Sequence, residues 1–249
     1  VPAGSFLVDG SAYAALKPAV EELGLEAIGL SGQPNAPAHD TVLPRTAVFS
    51  TWGSSEKVGW LRYAMDRHAV SYDLIYKEQV RKGNLRASYD VIILPMQGRS
   101  VKDIVFDIPM KGKPLPYTKT DRYRFSGDYG SSEDVRGGMG LEGLAELQKF
   151  VEQGGTLITT GDASAVPVDF GLVDDLSETK ASGNFYAPGP IVTAKVTKPA
   201  SPIFYGYDAD IKDQKMPVRW ATSTLFTVPD RLKGQILMEF PGGKDGVQS

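Results

Sequence analysis

The run Tyr89 to Leu94, closed by Pro95, constrains this chain more than any other segment. Val91, Ile92, Ile93 and Leu94 are four consecutive apolar residues, which leave no side for water and predict a central strand of a parallel sheet, covered on both faces. The flanking segments supply the rest of such a sheet. Thr46 to Ser50, preceded by Pro44, is a short apolar strand. Glu56 to Asp66 has Val58, Leu61, Tyr63 and Met65 among polar residues, which predicts a helix half buried on the sheet, with Trp60 packed in the core. Tyr72 to Tyr76 is a second strand, followed by a basic stretch from Lys77 to Arg86. Leu141 to Gln153 has Leu144, Leu147, Phe150 and Val151 at helical spacing, stops at Gly154 and Gly155, and leads into a strand from Thr156 to Thr160. Alternating strands and helices imply an α/β fold, with a mostly parallel sheet, right-handed crossovers and helices on both faces.

Two regions depart from that alternation. Residues 97 to 139 form a polar connection far longer than the usual 4–6 residues or so, which marks either a functional loop or an insertion packed elsewhere. Residues 185 to 240 contain β-like runs at Ile191 to Val196, Val218 to Trp220, Leu225 to Val228 and Gln235 to Phe240, separated by Pro and Gly. These predict a β-rich C-terminal extension of the sheet. Residues 1–44 read as an N-terminal helical segment, with a helix from Ala12 to Leu23, and a Pro-rich linker around Gln33 to His39. Residues 45–249 then form the α/β domain. The chain starts without Met, and a turn-rich run follows Phe240, so it reads as excised from something longer and truncated at its C-terminal end.

Composition narrows the function. A length of 249 residues is enough to bury a sizeable core. A formal net charge of -3 gives no nucleic-acid footprint and no surface for anionic membranes. No apolar run approaches the roughly 18 residues of a membrane span. With no cysteine, disulfides and thiolate metal sites are excluded.

Several ordered motifs carry a family resemblance: Thr51, Trp52 and Gly53 with Glu56; Gly59 to Tyr63; Val80 to Arg86; Asp90 to Pro95; Gln97 and Gly98; and Gly137 to Gly143. Together they resemble the glutamine amidotransferase-like region at the C-terminal end of large bacterial zinc carboxypeptidase-like proteins, over the whole chain. The resemblance implies a flavodoxin-like, class I amidotransferase-like fold and a periplasmic or secreted location. It also implies a partner, the zinc peptidase domain N-terminal to this region in the same polypeptide. In such proteins a His-x-x-Glu pair and a distant His hold the zinc. His39 and His68 are the only histidines here, and neither has a Glu at the third following position, so no metal and no cofactor is expected in this chain.

The chemistry turns on Gly161, Asp162, Ala163 and Ser164, the turn after the strand ending at Thr160. Class I amidotransferases place a cysteine on that strand-to-helix turn and a histidine later in the chain. Here the thiol is missing and no histidine follows His68. Ser164 could serve as nucleophile only with a base. His68 follows a helix of about a dozen residues, which puts it about 18 Å from the strand edge. Ser164 is therefore read as a turn or helix-cap residue, and no catalytic residue is assigned.

Gly138, Gly140 and Gly143 match G-x-G-x-x-G, but no strand immediately precedes them, so they read as glycines of a tight helix entry and close packing. Lys77, Arg81, Lys82 and Arg86 read as a solvated face. If a ligand site exists, it belongs at the strand carboxyl edge and is built from Thr51, Trp52, Gln97, Arg99 and Asp162, with Ser164 beside them. The expected function is a non-catalytic accessory domain, a pseudoenzyme that positions the peptidase or holds a peptide or cell-wall-like ligand. The alternatives are a cysteine-independent hydrolase or transferase using Asp162, Ser164 or a carboxylate pair, and an oligomerisation module.

Overall fold

The computed structural model describes residues 4–38, 40–180, 189–205, 207, 215–220 and 224–240. The chain divides into two compact units, one of residues 43–191 with 219–234, the other of residues 1–42 with 192–218 and 235–249.

The first unit is an α/β domain. Its sheet has four parallel strands, β1 (Thr46–Phe49), β2 (Asp73–Ile75), β3 (Val91–Leu94) and β4 (Thr156–Thr159), in the order β2-β1-β3-β4. Its helices among the described residues include α2 (Glu56–Arg67), α3 (Lys77–Lys82), α4 (Leu85–Ser88), α5 (Val101–Phe106), α6 (Gly140–Glu152), α7 (Val166–Asp169) and a short late one, Asp230–Lys233, with α1 (Tyr13–Glu22) in the other unit. The two inner strands alternate between two cores, as the pleat of a strand dictates. Ala47, Phe49, Ile92 and Leu94 point toward Val80 of α3, Leu85 of α4, Ile104 of α5 and Leu144, Leu147 and Phe150 of α6. Val48 and Ile93 point the other way, toward Val58, Leu61 and Met65 of α2. Helices thus cover both faces, and the expected central strand Val91–Leu94 is one of the two inner strands.

Several sequence expectations need correction. Trp60 is 66% exposed rather than core-packed, and Tyr63 is 63% exposed. With 3.6 residues per turn, Val58, Leu61 and Met65 define the sheet-facing stripe of α2, and Trp60 and Tyr63 fall about 130° and about 170° from it. The two rings instead meet each other edge to face on the outer surface, with centroids 6.3 Å apart. Val151, in the last turn of α6, is also exposed. The connection after Gln97 is not wholly irregular, because it starts with α5, which buries Ile104 and Val105.

The basic stretch after β2 is not simply a solvated face. Lys77 is 8% exposed and donates its ammonium protons to the carbonyls of Asp134 (2.6 Å) and Arg136, while Arg81 Nε donates to the Met139 carbonyl at 3.1 Å. These cations satisfy backbone carbonyls of the segment that returns to α6, partners far away in sequence. Arg81 and Lys82 are nonetheless exposed and Arg86 is half-buried, and Arg86 also donates to the Asp90 carboxylate at 2.7 Å.

The β-rich C-terminal part does not add strands to the parallel sheet among the described residues. In the first unit β5 (Ser177–Lys180), absent from the sequence reading, pairs antiparallel with β8 (Thr224–Thr227). In the second unit β6 (Ile191–Val196), β7 (Lys215–Arg219) and β9 (Met238–Glu239) form a sheet of order β7-β6-β9. Its small core is Val196 and Phe204, packed by Met216, Leu237 and Met238. The same unit holds α1, preceded by a 3-10 turn, Gly10–Ala12, whose Ser11 amide donates to the Asp9 carboxylate at 2.8 Å. Of the expected linker, His39 lies outside the described residues, as does the turn-rich run 241–249.

Candidate functional site at the strand carboxyl edge

The chain leaves β1 toward β2 on one side and later lays β3 on the other, so the order β2-β1-β3-β4 has its switch point between β1 and β3. A crevice at the carboxyl ends of such strands is where open α/β sheets hold ligands. The structure brings five of the six sequence-nominated residues together here: Thr51 and Trp52 after β1, Gln97 and Arg99 after β3, and Asp162 after β4.

Gln97 joins the two inner strands. Its side chain is 1% exposed; Oε1 accepts from the Thr51 hydroxyl at 3.1 Å, and Nε2 donates to the carbonyls of Phe49 (3.3 Å) and Pro95 (3.2 Å). Its own carbonyl accepts the Ser54 hydroxyl at 2.9 Å. Asp162 ties the third loop to the same turn. One carboxylate oxygen accepts the Gln97 amide at 2.9 Å and the other accepts the Arg99 amide at 2.7 Å. Thr160 adds a further tie, its hydroxyl accepting the Met96 amide at 3.1 Å. Ser164 stands apart. It sits in the 3-10 turn Gly161–Ala165 with its hydroxyl turned back on the Thr159 carbonyl at 3.3 Å; the N-cap position of that turn belongs to Thr160.

Sequence reasoning missed Asp107, which completes the cluster. Its carboxylate is fully buried and accepts the amides of Trp52 (2.7 Å) and Gly53 (3.1 Å) and a guanidinium proton of Arg99. Nothing local in the sequence marks Asp107, which lies 55 residues from Trp52. The positive φ of 49° at a non-glycine residue is visible only in the backbone.

The second component of the edge is aromatic. The Trp52 ring stacks on Tyr76 at 3.9 Å between centroids and 10° between planes, and Tyr117 lies on it tilted at 5.5 Å. Trp52 Nε1 donates to Glu78 Oε2 at 3.2 Å, and the Ser132 hydroxyl donates to Glu78 Oε1 at 2.6 Å. Tyr117 and Ser132 also form an antiparallel bridge. The long connection is therefore an insertion folded over the carboxyl edge, with Gly130 against the Tyr76 and Trp52 rings. Burial pushes the Tyr76 phenol above its ordinary pKa, against the opposing pull of Arg62. Farther along the insertion, Asp134 and Arg136 pair, and the guanidinium hydrogen bonds hold the Asp134 carboxyl well below the usual carboxylate range.

The three glycines of the G-x-G-x-x-G match serve packing. A side chain at Gly138 would strike the Val105 carbonyl, Gly140 enters α6 at φ +65°, and a Cβ at Gly143 would come within 3.1 Å of Val80. Among the described residues no group of three or more His, Asp or Glu side chains is placed to hold a metal ion. His68 ends α2, whose first residue lies just past the carboxyl edge, so its imidazole belongs to the opposite end of the helix. No helix among the described residues is long and apolar enough to cross a membrane.

Chemically, this edge clamps loops. Its carboxylates and its amide side chain hold backbone groups, and no buried side-chain nitrogen or oxygen among the described residues lacks a partner. Comparison with protein-family models, with curated proteins and with solved structures finds no match to this chain.

Proposed function

We propose that this chain is a non-catalytic accessory domain with a flavodoxin-like, class I amidotransferase-like core, belonging to a larger periplasmic or secreted zinc carboxypeptidase-like protein. The strand order β2-β1-β3-β4, all parallel, is in keeping with that core, because it is the start of the flavodoxin-type winding. The use of Asp162 and Gln97 to hold backbone groups favours a scaffold over a hydrolase or transferase built on Asp162. Ser164 spends its hydroxyl on a neighbouring carbonyl, which also favours the scaffold.

The observation that carries the accessory role is the N-terminal segment. Helix α1 buries none of its residues, and Phe6, Leu23, Leu25 and Ile28 are each more than half exposed. A ten-residue helix is marginal alone in water. A series of large apolar side chains in solvent marks a contact surface. The reading assigns that surface to the peptidase domain of the same polypeptide. The exposed aromatics of the insertion, Tyr123 and Phe125, remain for a peptide or cell-wall-like ligand.

Hydrogen exchange tests this directly. Amides of residues 5–30 should exchange rapidly in the isolated chain and be protected in a polypeptide that also carries the peptidase domain. Equal exchange in both would remove the accessory role. Turnover by the purified chain on glutaminase, esterase or peptidase substrates, abolished by Asp162→Ala, would remove the non-catalytic reading.

A further inference from the structure

The turn after β1 has the chemistry of a carboxylate site. Two successive amides, Trp52 and Gly53, point at one place, and the Arg99 guanidinium, 18% exposed, points at the same place from the turn after β3. Convergent backbone N–H groups beside an arginine make an anion-binding concavity. It lies at the switch point, where a ligand of an open α/β sheet would be expected. Gly53 is required there, because a Cβ would collide with the Asp107 carboxylate and the Arg99 guanidinium and come within 3.2 Å of Ile108.

We propose that Trp52, Gly53 and Arg99 form a binding site for a small carboxylate, and that the chain fills it in cis with Asp107, closing the crevice to ligands from outside. Two features separate this from an ordinary ion pair. The Asp107 side chain has no exposure at all, so its charge rests on these three partners alone. Its backbone holds φ 49° and ψ -135°, a region costly for any residue with a Cβ, to bring the carboxylate there. The carboxylate is thus held in place against backbone strain, and its withdrawal would relax residue 107 and leave the two amides and the guanidinium free for another carboxylate. This inference does not depend on the accessory role.

The test is chemical rescue of Asp107→Gly, which removes the carboxylate and also suits the positive φ. Formate or acetate should raise the melting temperature of this variant by about 3 °C or more over sodium chloride at equal ionic strength, by ordinary ligand linkage. Wild-type protein should show no carboxylate-specific rise, because its site is already filled. The double variant Asp107→Gly, Arg99→Ala should lose the rescue. If Asp107→Gly does not fold in chloride, the readout is recovery of its far-ultraviolet circular dichroism on refolding into formate. A variant that responds equally to chloride and formate, or to neither, overturns the proposal. A wild-type response as large as the variant's does the same.

Discussion

The Gln97 side chain and the Thr51 hydroxyl meet at 3.1 Å across the switch point, and through this contact the exits of the two inner strands become one unit. The same amide also donates to Phe49 and Pro95, so one buried side chain satisfies acceptors on both strands. Replacing Gln97 by Leu keeps the volume and strands these groups away from water. The expected loss is about 2–4 kcal/mol, since each buried group left without a partner costs about 1–3 kcal/mol. Urea unfolding followed by tryptophan fluorescence measures it.

Glycine substitutions should separate by site. Gly138→Ala drives a Cβ into the Val105 carbonyl, a backbone atom that cannot move aside, and should destabilise by about 2–4 kcal/mol or prevent folding. Gly59→Ala, within α2 and with open space around its Cβ, should stabilise by about 0.5–1 kcal/mol. Thermal melting of the pair distinguishes a packing glycine from a merely tolerated one.

Lys77 anchors the insertion. Its ammonium satisfies the Asp134 and Arg136 carbonyls, and Lys77→Met removes both bonds while keeping most of the apolar stem. We expect residues 109–136 to be cut faster in limited proteolysis, with the sheet intact by circular dichroism. An unchanged cleavage rate would show that the Trp52, Tyr76 and Tyr117 stack and the Ser132–Glu78 hydrogen bond hold the insertion without Lys77.

Acid should weaken the first unit through two carboxylates. Hydrogen bonds from Arg45 and Arg86 hold Asp90, and those from Arg136 hold Asp134, well below the ordinary carboxylate value of about 3.9. A depressed folded-state value means that the stabilisation is present above the unfolded value and is lost as pH falls below about 4 toward the folded one. Melting temperatures between pH 5 and pH 2 should therefore fall less steeply for Asp90→Asn than for wild type. The variant should also be the less stable at pH 7.

The outer aromatic pair of α2 should matter little to folding. Trp60→Ser with Tyr63→Ser should change stability by about 0.5 kcal/mol or less at each site, as for other exposed positions. A loss of several kcal/mol would mean that this face is covered in solution.

The sequence by itself determined the four parallel strands of the α/β domain and the helices α2 and α6. Runs such as Val91 to Leu94 and the spacing of Leu144, Leu147 and Phe150 state which side of an element is apolar, and hydrophobic burial is decided locally by that periodicity. The orientation of Trp60 was also within reach, because the stripe of Val58, Leu61 and Met65 places it on the opposite side of the helix. The edge loops after β1, β3 and β4 were legible as a cluster, since a parallel α/β order puts the carboxyl ends of its strands together.

Only the tertiary structure decided what those loops do. Asp107 lies 54 residues from Gly53, Asp162 lies 65 from Gln97, and Lys77 lies 59 from Arg136. Hydrogen bonding has no sequence period. A carboxylate that will clamp two backbone amides looks the same in the chain as one that will face water. The sheet follows from local patterns of apolar residues, whereas the tying of its edge loops by Asp107, Gln97 and Asp162 follows from which polar groups the fold brings within 3 Å or so of one another.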